Sequence, residues 1–450
     1  MGNSDYINQF MDTVSKSFHI EKELLKNDQI KFGLRNHDKT GVFAGLSNIS
    51  SVVGYKKEDD KVVAVPGRLI YRGIDIEDLV AGFQKDKRFG FEETILLLLT
   101  GRLPDEDELR IFSEYMILIR DLPDDFVKDM ILSLKGKDVL NILARSILGL
   151  YSYDKKPNDI TLKNMVNQSL NIIAKFPTII SYAFHTYNHA YHGKTLSIRH
   201  PHKDLGIAEN FLYMLKGTNR HTRLEAEILD LALVLHAEHG GGNNSTFTMR
   251  VTSSSETDVY SSVAAAIGSL KGPLHGGANL KVVDMMENFK ANIKNWDDDE
   301  EISEYILKVL NKKAYDKTGK IYGMGHAVYT ISDPRAILLK EKARELAIEK
   351  GTYDEWKLYA SVERLTPSVF AKFKDNTTNI CINVDFYSGY VYSCLEIPKE
   401  LFTPIFAMAR IAGWCTHRIE ELTSPSKRII RPSYKNIGPQ QKYISIHKRK

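Results

Sequence analysis

The chain has 450 residues, 43% hydrophobic and 26% charged, with a formal net charge of +4. Such a composition belongs to a globular protein with a sizeable core, and the length allows two to four domains or one large domain with a smaller one. So small a charge, with lysines and acids interspersed, gives no field that points to nucleic acid. The longest apolar runs, such as Ile95 to Leu99, fall far short of the ~18 residues of a membrane span. Met1 to Asp5 carries no basic start followed by an apolar stretch, so no signal peptide is expected. The cysteines, Cys381, Cys394 and Cys415, are odd in number, form no CxxC pair and lie in apolar surroundings, which predicts free thiols in a reducing compartment. The expectation is a cytoplasmic protein with no nucleic-acid or membrane partner.

Residues 1–45 are polar with weak apolar spacing and read as an N-terminal arm with one helix. Between 50 and 72 the pattern changes. Val52-Val53, a polar turn at Lys56 to Asp60, and Val62 to Val65 predict a small hairpin. Pro66-Gly67 is expected to break it, with a further short strand at Arg68 to Arg72. Almost everything afterwards has helical period. Leu224, Ile228, Leu231 and Leu235 recur behind a capping-box pair, Thr222 and Glu225. Val259, Val263, Ile267 and Leu270 follow, with Ser255 and Asp258 as start signals and Gly272-Pro273 as the stop. From 334 to 350 a third helix has Asp333 to cap it, Pro334 at its first position and Gly351 to close it. Another is expected from Pro398 to Glu421, before an extended tail from Thr423 to Lys450. No βαβ alternation is present, so the fold class expected is all-α with a small N-terminal β-hairpin.

Three motifs set a titratable side chain among glycines or at the end of an apolar run. They are Gly-Pro-Leu-His-Gly-Gly-Ala-Asn at 272–279, Gly-Met-Gly-His-Ala-Val-Tyr at 323–329, and Asn-Val-Asp-Phe-Tyr-Ser-Gly at 383–389, carrying His275, His326 and Asp385. Two imidazoles and a carboxylate can move protons at a carbonyl: the carboxylate takes a proton, one neutral imidazole holds the resulting enolate oxygen, and the other protonates an electrophile. The set points to carbon–carbon bond formation next to a carbonyl. The alternatives are an exposed histidine in a turn for His275 and a structural, hydrogen-bonded acid for Asp385. Burial would raise the Asp385 pKa and nearby arginines would lower it. His326 lies seven residues before Asp333, so a ligand carboxylate is expected near that helix N-terminus, with Arg335 as a bidentate clamp. A plain ion pair is the alternative for Arg335. His236-Ala237-Glu238-His239 and the Gly240–Gly242 run make an amide-rich loop. It lacks the His-Glu-x-x-His spacing of a zinc site and the Gly-Lys-Ser/Thr of a phosphate loop, and wrapping a small anion fits it better. Arg410 and Arg431, near a catalytic histidine, would suit a dicarboxylate.

With these motifs in order, together with Arg68-Leu-Ile-Tyr-Arg-Gly-Ile-Asp-Ile-Glu-Asp-Leu79 and Leu235-His-Ala-Glu-His239, the chain resembles the citrate synthases from about Gly67 to Tyr443. The resemblance implies a nearly all-helical two-domain fold: an arm at 1–45, a large domain from 46–274 and 386–450 with its tail, and a small domain at 275–385. It implies a homodimer with the active site in the interdomain cleft, oxaloacetate and acetyl-CoA as substrates, and no metal or other cofactor. The small domain would close over oxaloacetate and so create the acetyl-CoA site. By motif, Asp385 resembles the base for the acetyl methyl group, His275 the donor to the enolate oxygen, and His326 the donor to the oxaloacetate ketone. His239, Arg335 and Arg410 resemble oxaloacetate-holding residues, and Arg431 an arginine contributed to the neighbouring subunit's site. Thr330 stands where many relatives carry a basic residue near the CoA phosphates, which leaves that contact to another lysine or arginine. Competing readings are a 2-methylcitrate synthase using propionyl-CoA, which differs by one methylene in an apolar pocket, and a metal-dependent hydrolase on His236, His239 and His275.

Overall fold

The computed structural model describes residues 3–18, 20–26, 29–36, 38, 40–59, 61–374 and 380–449. Helix α1 (Asn3–Ser17) opens the chain, followed by two short 3-10 turns. Strands β1 (Ser50–Glu58) and β2 (Lys61–Tyr71) then pair antiparallel, and β3 (Ile74–Asp75) adds to β2. The expected break at Pro66-Gly67 does not occur, and Arg68 to Tyr71 belong to β2. Val53 pairs with Arg68 and Tyr55 with Ala64, so Val65, Pro66 and Gly67 bulge opposite Gly54 alone. A bulge accommodates a proline because no ladder hydrogen bond is asked of it.

The α-helices that follow are α2 (Ile76–Lys85), α3 (Phe91–Thr100), α4 (Glu106–Leu118), the short α5 (Asp124–Phe126), α6 (Val139–Leu150), α7 (Leu162–His192) and α8 (Ile207–Lys216). Then come α9 (Arg223–His236), α10 (Asn244–Ser253), α11 (Val259–Lys271), α12 (Ala278–Asn292), α13 (Asp299–Leu310), α14 (Pro334–Lys350), α15 (Tyr353–Lys374), α16 (Val384–Cys394) and α17 (Phe402–Thr423). The fold is all-α with one small sheet. Local signals set several of these boundaries. Thr222 and Glu225 form a reciprocal capping box on α9. Asp258, and not Ser255, caps α11 by accepting from Ser261 N. Asp333 caps α14, Pro334 occupies its first turn, and Gly351 ends it at φ 70°.

Every residue of α17 from Phe402 to Arg418 is buried, as is α9 from Ile228 to His236. A helix apolar all round belongs inside a protein, and these two pack on each other, with α17 also against α3, α7, α10 and α11. Helices α12 to α16 pack among themselves, and α14 reaches α9. The hairpin lies across the loop before α14. A Cβ on Gly54 would overlap the Val328 carbonyl, Gly67 N donates to Ser332 Oγ at 3.0 Å and Tyr329 OH to the Arg68 carbonyl at 3.3 Å. Among the described residues no helix is long and apolar enough to cross a membrane. The three cysteines are unpaired.

Candidate active site

Helix α9 ends at His236, and residues 237–243 turn the chain into α10. The Tyr71 hydroxyl anchors this turn, 3.1 and 3.0 Å from the carbonyl oxygens of Val234 and Glu238 and accepting from Glu238 N at 3.2 Å. Arg410, on α17 and fully buried, donates Nε to the His236 carbonyl at 2.7 Å. Its two terminal nitrogens are buried and have no partner among the described residues. Phe406, one turn earlier, places its ring 4.8 Å from the Arg410 guanidinium, 4.8 Å from the His236 ring and 6.1 Å from the His275 ring. His239 is buried, its Nε2 without a partner among the described residues and its ring 5.2 Å from that of His326. Burial first, then the charge of Arg335, holds its pKa well below the usual histidine value.

His275 follows the end of α11. Gly276 N donates to the Leu270 carbonyl and Thr403 Oγ1 to the Gly276 carbonyl, each at 2.9 Å, fixing the turn between α11 and α17. His275 Nε2 lies 3.0 Å from Ser245 Oγ and accepts from Ser245 N at 3.4 Å. Trp414 Nε1 donates to the same hydroxyl at 3.2 Å. An amide can only donate, so Nε2 is the acceptor and the neutral ring carries its proton on Nδ1. Burial, then the charge of Arg410, pushes the His275 pKa down to about 4, so the ring is neutral at physiological pH.

His326 is fixed in the opposite sense. Its Nδ1 accepts from the backbone N–H groups of Val328 and Tyr329 at 3.0 and 3.1 Å, which leaves the proton on Nε2. The ring stacks on Tyr329 at 4.7 Å. Burial and then Arg335 bring its pKa down to about 4. Asp333 does three things: it caps α14 through Arg335 N, takes Arg335 Nε and Nη2 at 3.0 and 2.7 Å, and accepts from Val384 N at 3.2 Å. The anion at the α14 N-terminus is therefore this carboxylate rather than an open position for a ligand, and half of the Arg335 fork is occupied by it. Asn383 caps Asp385 N at 3.0 Å and donates Nδ2 to the Gly325 carbonyl at 2.8 Å. Among the described residues nothing donates to the Asp385 carboxylate. Burial pushes its pKa up to about 6; Arg335 holds it back, Asp333 adds to the rise, and Arg410 also opposes it.

The structure thus gathers His239, His275, His326, Arg335, Asp385 and Arg410 around one space. Arg431 stands apart, exposed on the extended segment after α17. The family model "Citrate synthase, C-terminal domain" matches residues 36–433. The chain belongs to the citrate synthase family. The citrate synthase of Deinococcus radiodurans is 38% identical over 384 residues, 85% of this chain and 93% of that one. A 2-methylcitrate synthase of Shewanella oneidensis is 31% identical over 370 residues, 82% of this chain and 88% of its own. A solved ternary complex of the Thermoplasma acidophilum citrate synthase with carboxymethyl coenzyme A and oxaloacetate superposes with a TM-score of 0.75 at 26% identity, covering 94% of this chain and all of that one. The protein is an acyltransferase with citrate synthase function.

Sequence reading did not single out Ser245, Trp414, His417 or the second use of Asp333. Trp414 carried one usable signal: it lies four residues after Arg410 on a helix, and so on the same face. The partner of Ser245 across 169 residues carried none.

Proposed function

We propose that this citrate synthase abstracts a proton from the acetyl-CoA methyl group with Asp385, holds the enolate oxygen with His275 Nδ1–H, and polarises the oxaloacetate ketone with His326 Nε2–H. The enolate carbon attacks that ketone, and water hydrolyses the citryl thioester to citrate and CoA. What carries this reading is the opposed locking of the two imidazoles. Each spends one nitrogen as an acceptor of backbone N–H and keeps the other as a donor, and each is neutral at working pH. A neutral donor suits an enolate because it stabilises the charge without surrendering a proton to it. Asp385 fits a base: a carboxyl near pKa 6 is ionised at pH 7 yet more basic than an ordinary aspartate. The terminal nitrogens of Arg410, with His239 and the free side of Arg335, suit the two carboxylates of oxaloacetate.

The proposal includes a small domain at 275–385 that closes on the rest of the chain, and no metal or other cofactor. The cytoplasm is the proposed location, supported by the three unpaired cysteines. A homodimer belongs to it as well. Ile429, Tyr434, Ile437, Tyr443, Ile444 and Ile446 are all exposed along the tail that carries Arg431, and a second subunit would cover them. If Arg431 serves the neighbouring site, mixing inactive Arg431→Ala and Asp385→Asn subunits restores part of the activity. No recovery despite proven subunit exchange refutes a shared site. The reaction is tested by free CoA release from acetyl-CoA with and without oxaloacetate, repeated with propionyl-CoA. Oxaloacetate-dependent release, faster with acetyl-CoA, is expected. Faster release with propionyl-CoA moves the assignment to 2-methylcitrate synthesis.

A further inference from the structure

Arg410 poses an electrostatic problem. Its guanidinium is fully buried, and among the described residues a single neutral carbonyl, that of His236, accepts from it. A buried cation needs a counter-charge, yet a hydrogen-bonded carboxylate would use up the fork, as Asp333 does at Arg335. The acid that solves this is Glu238, also 0% exposed, in the turn between His236 and His239. No hydrogen bond joins it to Arg410. Its Oε1 is instead taken by three donors: His417 Nε2 at 2.9 Å, Ser50 Oγ at 2.9 Å and Gly240 N at 2.6 Å. Its Oε2 is buried without a partner among the described residues, against Gly413, where a side chain would overlap it.

The next link fixes the chemistry of His417. Arg250 Nη1 lies 3.0 Å from His417 Nδ1. A guanidinium has no acceptor, so Nδ1 accepts, the ring is neutral, and Nε2 carries the proton donated to Glu238. Arg250 is itself held by Glu420 at 2.9 Å and Glu421 at 2.8 Å. Burial works against the charge on Glu238, and the hydrogen bonds from His417 and Ser50 together with the charge of Arg410 act in its favour. Burial lowers the Arg410 pKa to about 10, and Glu238 is the largest influence opposing that fall.

We infer that the Arg250–His417–Glu238 chain is a positioning device for oxaloacetate. It holds a counter-charge near Arg410 without occupying it, and it fixes the turn that carries His239. The two terminal nitrogens of Arg410 are thereby left free for a ligand carboxylate. This inference rests on the proposed reaction. His417 and Glu238 touch no substrate and act through Arg410 and His239.

The test separates binding from chemistry. His417→Phe removes both ring nitrogens. Oxaloacetate affinity, measured by calorimetry on the full-length protein, is expected to fall at least tenfold, with the KM for acetyl-CoA at saturating oxaloacetate within twofold of native. His417→Gln can donate to Glu238 through its amide nitrogen and accept from Arg250 through its oxygen, so it is expected to restore affinity to within threefold of native. A folded His417→Phe protein with native oxaloacetate affinity overturns the inference. So does equal weakening of both substrates, or a glutamine variant as poor as the phenylalanine one. Should His417→Phe not fold, Ser50→Ala removes one of the three donors to Oε1 and is expected to weaken oxaloacetate alone, by two- to fivefold; no change overturns the inference. A native protein that releases no CoA in the presence of oxaloacetate refutes the reaction itself. Native release with unchanged oxaloacetate affinity in the variants refutes only the positioning role.

Discussion

The two sides of the site satisfy their polar groups over different distances along the chain. On the side built from α9, α10 and α17, the bonds are long-range: Trp414 to Ser245, Arg410 to His236 and Glu238 to His417 each join residues more than 160 positions apart. On the side built from 323–335 and the start of α16, most bonds are local. His326 is fixed by amides two and three residues on, Arg335 by Asp333 two residues back, and Asp385 N by Asn383. Its two segments are tied together by Asn383 Nδ2 to the Gly325 carbonyl, Val384 N to Asp333, Gly325 N to the Cys381 carbonyl and Asn383 N to the Gly323 carbonyl. The first side exists only when the helical body is assembled. The second keeps most of its bonds within 323–335 and the start of α16, and is joined to the hairpin through Ser332 and Tyr329.

The largest test of that contrast is Asp385→Asn, on the local side. Turnover is expected to fall by about 10³-fold or more, as for loss of a general base, with oxaloacetate affinity measured by calorimetry kept within threefold. Turnover within tenfold of native would remove Asp385 as the base. The same variant sharpens the comparison through stability. A carboxyl with a folded pKa of about 6 against 3.8 costs stability once pH exceeds that window, because the native state must give up a proton it holds more tightly. At pH 7 the asparagine protein is therefore expected to be more stable to urea, by up to about 3 kcal/mol.

His326→Ala comes next, with an expected loss of about 10²–10³ in kcat, the usual range for an oxyanion donor. A loss under threefold would mean that the ketone is polarised elsewhere. The pH profile follows. Activity needs ionised Asp385, so kcat/KM is expected to fall about tenfold per pH unit below about 6. A profile flat to pH 5 would contradict it. Stability moves the other way for the histidines. His275 and His326 have folded pKa values near 4 against 6.5, so the unfolded chain binds more protons between those values. Their contribution is full above pH 6.5 and is lost as pH falls toward 4. Asp385 partly offsets this, and acid unfolding of Asp385→Asn is expected to be steeper than that of the native protein.

The smallest effect belongs to the long-range side. Trp414→Phe keeps the ring packing and loses the N–H bond to Ser245, with an expected cost of about 0.5–1.5 kcal/mol in stability and a drop in kcat of about threefold. An unchanged stability and rate would show that Ser245 is held without Trp414.

What the sequence disclosed follows the same division. Thr222 with Glu225, and Asp333 with Pro334 and Gly351, act within one or two turns of chain, so the ends of α9 and α14 were legible from spacing alone. The motifs around His326 and Asp385 were legible because their glycines and apolar neighbours adjoin them, and their order along the chain carried the family resemblance. The continuous β2 was not, since the bulge that admits Pro66 exists only in register with Gly54 on β1. Ser245 and His417 were silent for the same reason, and Glu238, though part of a legible motif, gave no sign of its partner: these pairings are set by helix packing. Asp333 was legible as a cap, but its hold on Arg335 and Val384 depends on where α16 arrives.

The position of α17 near the end of the chain has a consequence during synthesis. The 174 residues between His236 and Arg410 take a ribosome roughly 10–35 seconds at about 5–20 residues per second. For that interval α9 has emerged without the helix that covers it, its apolar faces exposed and Glu238 lacking both His417 and Arg410. The nascent chain therefore passes through a sticky stage whose length is fixed by the gene's order of helices. A chaperone that shields α9 until α17 arrives would raise the yield of this protein more than one that acts on the finished chain.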